Sequence, residues 1–284
     1  MIEPYASQIL SKLSAYTEKA DDEVDVFNAA LLIAALDHPG RLMERYTLHI
    51  DRMTKACYEL YQSRRDEGRD DSAALRLEVL REILVEQEEY SGDSESYDRL
   101  DNADIMSVID RRAGLPIALS VIYIAVARKL DWKLFALSFP AHVFLRIEHE
   151  GERIIFDPFD EAKIMEAHDL RQKLKSLLGG HQELSATYYE AMNNRDILVR
   201  LQNNIKTRLI SGEDYDGALE RIDIMRAIIP KDPRLLFEAG VLNARLGQRK
   251  KAISLLYEYI DVEGAQGDTG DAHLLIQELE NGLN

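Results

Sequence analysis

The sequence predicts an α+β, mostly helical protein, and three observations carry that class. Apolar residues recur at three- and four-residue spacing up to about residue 130, the period drops to two between Trp132 and Asp157, and helical spacing returns beyond about residue 195 with an internal repeat. At 284 residues the chain is long for one compact domain and short for three. We therefore expect two domains, residues 1–193 with the sheet and residues 194–284 with the repeat helices.

The helical N-terminal region shows as three stripes: Ile9, Leu10, Leu13 and Tyr16; Val24, Phe27, Leu31 and Ala34; and Leu75, Val79, Ile83 and Leu84. Pro39-Gly40 separates two of these helices, and Ser91-Gly92-Asp93-Ser94, after the acidic Glu86 to Glu89 stretch, reads as a loop. Arg111 to Leu115 then leads into a helix with Ile117, Val121 and Ile124 on one stripe and Arg128 at its end. Ala118, Leu119, Ile122, Ala125 and Val126 make its other faces apolar, so it should be buried all round.

Leu134 to Phe139, Val143 to Glu148 and Arg153 to Asp157 alternate and carry β-branched or aromatic residues, which predicts a small antiparallel sheet. Glu150-Gly151 fits a two-residue hairpin turn. Cross-strand positions then sum to 301, so Phe144 faces Asp157, and His142, where the strand is expected to begin, is the diagonal neighbour of Asp157 on the same face.

In the C-terminal part, Ala218, Ile222, Met225 and Pro230 recur 34 residues later as Ala252, Leu256, Tyr259 and Gly264. That is the period and residue pattern of tetratricopeptide repeats, with Gly240 placed 12 before Ala252 and Leu246-Gly247 at the turn. Two repeats are expected at 199–232 and 233–266, followed by a capping helix from Ala272 to Leu283. Lys206 departs from the pattern at a small-residue site.

Composition excludes several functions. The 35 basic and 51 acidic side chains give a net charge of −16, which argues against nucleic-acid and membrane partners. The cationic stretch Arg64-Arg65 with Arg69 is interleaved with Asp66, Glu67, Asp70 and Asp71. A single cysteine, Cys57, excludes an internal disulfide, and seven histidines without paired spacing imply no metal; no cofactor motif is present. With no membrane-length apolar run and no secretory pattern in Met1 to Tyr5, a cytoplasmic location is expected.

Three segments carry a resemblance: Arg111-Arg112-Ala113-Gly114-Leu115-Pro116-Ile117-Ala118-Leu119-Ser120, Phe139-Pro140-Ala141-His142-Val143-Phe144-Leu145 and Phe156-Asp157-Pro158-Phe159. Together they resemble the bacterial YchA/SirB-like family, which joins a transglutaminase-like (papain-like) core to C-terminal tetratricopeptide repeats. The resemblance implies a base-like His142, an orienting carboxylate at Asp157 and a nucleophile two residues after Gly114 and twelve before Arg128. Both counts reach Pro116, which suits the first turn of a helix but has no nucleophilic atom. The candidate pocket comprises Arg111, Arg112, Pro116, Ser120, His142 and Asp157.

Alternatives to a lost nucleophile are Ser120, about 6 Å further along the helix axis, and Cys57, which reads as a small buried hydrophobe. Arg111 and Arg112 either brace the acidic loop around Asp98 and Asp101 or lend charge to the pocket, and Tyr97 is a packing residue or a ligand contact. The expected function is that of a non-catalytic interaction or regulatory module with a protein or peptide partner. The competing reading is a hydrolase or acyltransferase using His142 and Asp157 with Ser120, Cys57 or an unrecognised nucleophile.

Overall fold

The structure, a computed structural model, describes residues 2–180, 182–264 and 267–281; the end of the expected capping helix, Leu283, lies outside them. Helix α1 (Ile2–Ser14) turns the buried Ile9 and Leu13 inward and packs against a helix at Tyr215–Ile228. The chain accordingly divides into two compact units, Asp21–Leu201 and a second made of the residues up to Ala20 with those from Gln202 onward. This differs from the division expected at 193/194, because pairing between distant helices leaves no mark on local composition.

In the unit Asp21–Leu201, α2 (Val26–Asp37) opens on Asp25, whose carboxylate accepts the Asn28 N–H. The long α3 (Met43–Asp66) follows, and then α4 (Ala73–Arg81), which is capped by the Ser72 hydroxyl and runs into a π-helical turn at Glu82–Gln87. The expected loop at Ser91–Ser94 instead begins with a short strand, β1 (Ser91–Gly92). After α5 (Ile105–Arg111), β1 pairs in parallel with β2 (Ala113–Gly114). Next comes α6 (Pro116–Lys129), buried from Pro116 to Ala127 and packed against α2, α3 and the first strand of the main sheet. Proline at its first position removes an N–H that would have no intrahelical partner.

The main sheet is antiparallel in the order β3 (Lys133–Ala136), β4 (Leu145–His149), β5 (Glu152–Asp157), β6 (Lys163–Ile164). Leu145 pairs with Phe156 and Arg146 with Ile155, the sum of 301 that the turn dictates. Glu150 and Gly151 both have positive φ, 45° and 91°, as a type I′ hairpin requires. His142, expected to begin the strand, lies instead in a bend before it. Ala141 adopts φ 56°, and regular pairing with β5 starts only at Leu145. Helix α7 (Ala167–Leu178) buries Leu170 and Leu174 in a cluster with Phe139 and Phe144.

Beyond the start of α8 (Asn194–Ser211), the second unit holds α9 (Tyr215–Ile228), α10 (Pro233–Arg245), α11 (Arg249–Glu263) and α12 (Gly270–Asn281). Helices α10 and α11 form a hairpin about Leu246-Gly247-Gln248, with Gly247 at φ 72°. A Cβ at Gly240 would lie 2.8 Å from the Leu256 side chain, so glycine is what lets the two helices approach this closely. Of the positions on the 34-residue spacing, Ala218, Ile222, Met225, Ala252 and Leu256 are buried, whereas Tyr259, the counterpart of Met225, is only half-buried. Lys206, the departure from that pattern, is buried and ion-paired with Glu238 of α10. Among the described residues no helix is long and apolar enough to cross a membrane.

Candidate functional site

The end of β5 and the bend before β4 bring Asp157 and His142 together. The imidazole Nε2 lies 2.9 and 2.8 Å from the two carboxylate oxygens, with the His142 and Asp157 side chains 5% and 2% exposed. Asp157 Oδ1 also accepts the Phe159 N–H at 2.9 Å, and Lys173 Nζ stands 3.9 Å from Oδ2. An ionised carboxylate only accepts, so Nε2 is the donor in this pair. Among the described residues no other hydrogen bond reaches the ring, which packs between Phe144 (centroids 4.7 Å) and Phe159 (6.2 Å). The carboxylate and the two rings thus fix the orientation of the imidazole.

Phe159 connects this pair to the start of α6. Its ring meets the edge of Tyr97 (5.9 Å), and its carbonyl accepts the Gly92 N–H at 3.2 Å. Gly92 is paired with Gly114, Asp93 N–H reaches the Gly114 carbonyl, and Leu115 N–H reaches that of Asn102, so the backbone entering Pro116 is held on both sides. A Cβ at Gly92 would fall 2.4 Å from the Phe159 ring, and only glycine admits that approach.

The remaining candidate residues have other partners. Arg111 donates to Asp93 Oδ2 (2.5 Å) and Asn102 Oδ1 (2.8 Å). Arg112, at φ 59° where α5 ends, donates to Glu88 (3.0 Å) and lies over the Tyr90 ring. The expected bracing of Asp98 and Asp101 is thus replaced by Asp93 and Glu88, and Asp101 is paired with Arg99. The buried Ser120 hydroxyl donates back to the Pro116 carbonyl at 2.7 Å, one turn earlier in the same helix. Cys57 is buried in α3, and desolvation pushes its thiol up to about 12.

Two contributors escaped the sequence reading. Arg200 of α8 donates through Nη2 to the carbonyls of Phe139 (2.9 Å) and His142 (2.6 Å), clamping both sides of the Pro140-Ala141 turn, and burial lowers its pKa. An arginine in a helix 58 residues from His142 gives no local signal of this role. Gly92 has the same difficulty, since two paired residues show no periodicity. Among the described residues no group of three or more His, Cys, Asp or Glu side chains is placed to hold a metal ion.

A small antiparallel sheet, a buried helix and a His–Asp pair at the end of the sheet's two central strands define a transglutaminase-like protein. Residues 44–203, more than half of the chain, match the family model described as the transglutaminase-like superfamily. A UPF0162 protein of Xylella fastidiosa is 28% identical over 259 residues, covering 90% of each chain, and one of Vibrio cholerae is 27% identical over 241 residues, covering 84% of this chain and 87% of that one. Protein SirB1 of Salmonella typhimurium is 26% identical over 155 residues, 54% of this chain and 57% of that one. The chain belongs to this bacterial YchA/SirB-like family of transglutaminase-like proteins. No solved structure matches it.

Proposed function

We propose that the protein is a non-catalytic transglutaminase-like module that binds a protein or peptide partner. The observation that carries this reading is that α6 opens on Pro116, where the family resemblance expects the cysteine. The two alternatives lose support from their surroundings. Ser120 spends its hydroxyl proton on a backbone carbonyl, and Cys57 is a packed thiol that stays protonated. Base assistance contributes about 10² to 10⁴ in rate and does not replace a missing covalent step. The tetratricopeptide-like pattern of the C-terminal helices supports partner binding, since such repeats expose a continuous surface between neighbouring helix pairs.

The test is to restore the nucleophile with Pro116→Cys. If position 116 is the vacated site, its thiol reacts with iodoacetamide near neutral pH faster than Cys57 does, and His142→Ala removes the excess. Wild-type turnover that Ser120→Ala or Cys57→Ala abolishes, in protein that remains folded, would replace this reading with the enzyme one.

A further inference from the structure

In the C-terminal unit, a groove of about 450 Å³ lies between the end of α8, the start of α9 and α10. Ile210, Tyr215, Phe237 and Val241 supply its apolar wall, and none of the four is fully buried. Lys206 and Glu238, the charged pair inside it, neutralise each other. At its end stands Arg245, the last residue of α10, and across the short turn Arg249, Lys250 and Lys251 fill the first turn of α11. The stretch from Arg245 to Lys251 thus has four cations and no acid, in a chain whose net charge is −16. All four are exposed, and among the described residues Arg245, Lys250 and Lys251 form no ion pair. The first turn of a helix is where the macrodipole disfavours cations, so local helix stability gives no reason for this placement.

We propose that this groove docks an acidic segment of a partner protein. An apolar side chain of the segment enters between Ile210, Tyr215, Phe237 and Val241, and its carboxylates meet Arg245, Lys250 and Lys251. Charge complementarity selects the occupant, because the long-range field of this acidic chain repels carboxylates and the hairpin tip supplies the local positive charge that offsets it. The proposal deepens the binding reading above and rests on it.

The test uses the full chain and a short fluorescein-labelled peptide of Asp and Glu with a central Leu and Phe, followed by fluorescence anisotropy. The peptide should bind with an affinity that falls as salt rises. Its Asn/Gln counterpart should bind at least about tenfold more weakly, and so should the wild-type peptide to Arg245→Glu/Lys250→Glu and to Ile210→Asp. These three positions are exposed, and circular dichroism verifies that each variant is folded. Absence of binding, equal binding of the two peptides, indifference to both variants, or displacement at comparable concentration by a single-stranded oligonucleotide or phosphatidylserine vesicles would each overturn the proposal. Turnover in the same preparations would instead remove the non-catalytic reading and leave the groove standing.

Discussion

Gly92→Ala is the substitution that most directly probes how the His142–Asp157 pair is mounted. The added methyl would lie 2.4 Å from Cγ and Cδ2 of Phe159 and 2.5 Å from its carbonyl oxygen, against about 3.5–4.0 Å for an unstrained contact. Neither neighbour can yield easily. The ring is held between His142 and Tyr97, and the carbonyl accepts the N–H of Gly92 itself, so relief requires β1 to separate from the segment after β5. Overpacking of this kind costs about 1–3 kcal/mol, and with ring and backbone both displaced we expect the upper part of that range. Movement of Phe159 also loosens its N–H from Asp157 Oδ1, which adds about 1 kcal/mol.

Urea unfolding should therefore show a loss of about 3–4 kcal/mol, with a displaced His142 ring resonance in NMR spectra of the folded variant. Combining Gly92→Ala with Phe159→Ala should cost less than the two single changes summed, because the ring part of the clash disappears. A variant within about 0.5 kcal/mol of wild type, or strict additivity with an unmoved His142 resonance, would refute the mounting argument.

Two further outcomes follow from buried titratable groups. Burial, aided by the positive charge of Arg112, lowers His49 from 6.5 to about 4, so between those values the unfolded chain binds a proton that the folded one refuses. The associated stability is complete above about pH 6.5 and declines by about 2–3 kcal/mol as the pH falls towards 4; His49→Gln should flatten that decline in urea midpoints, and an unchanged profile would contradict it. Cys57, raised to about 12, should resist iodoacetamide at about pH 8 in the native protein and take up one adduct in urea, so rapid native labelling by intact mass would refute its assignment as a packed thiol.

What the sequence reveals and what it hides divide along a physical line. Turn chemistry and period two are local, so Glu150-Gly151 alone fixes the register that brings Phe156 opposite Leu145 and carries Asp157 towards His142. The 34-residue spacing is also a local pattern shown twice; Ala218, Ile222, Met225, Ala252 and Leu256 on it are buried, and Tyr259 is half-buried. The parts that hold the pair in place are different in kind. The clamp from Arg200 to the His142 carbonyl and the pairing of Gly92 with Gly114 join residues far apart in the chain, as the grouping of α1 with α9 does within the other unit. The run Arg249-Lys250-Lys251 stands in the sequence without adjoining acids, unlike the arginines near Arg64, but only the fold sets it at the tip of a hairpin. A histidine and an aspartate can thus be matched from one hairpin, whereas their chemistry depends on the nucleophile that the family resemblance expects at the opening of α6. At that opening stands Pro116, held by β2 and by the carbonyl of Asn102. Replacing the side chain at this single position, with its mount left intact, is therefore a sharper probe of function than disrupting the pair itself.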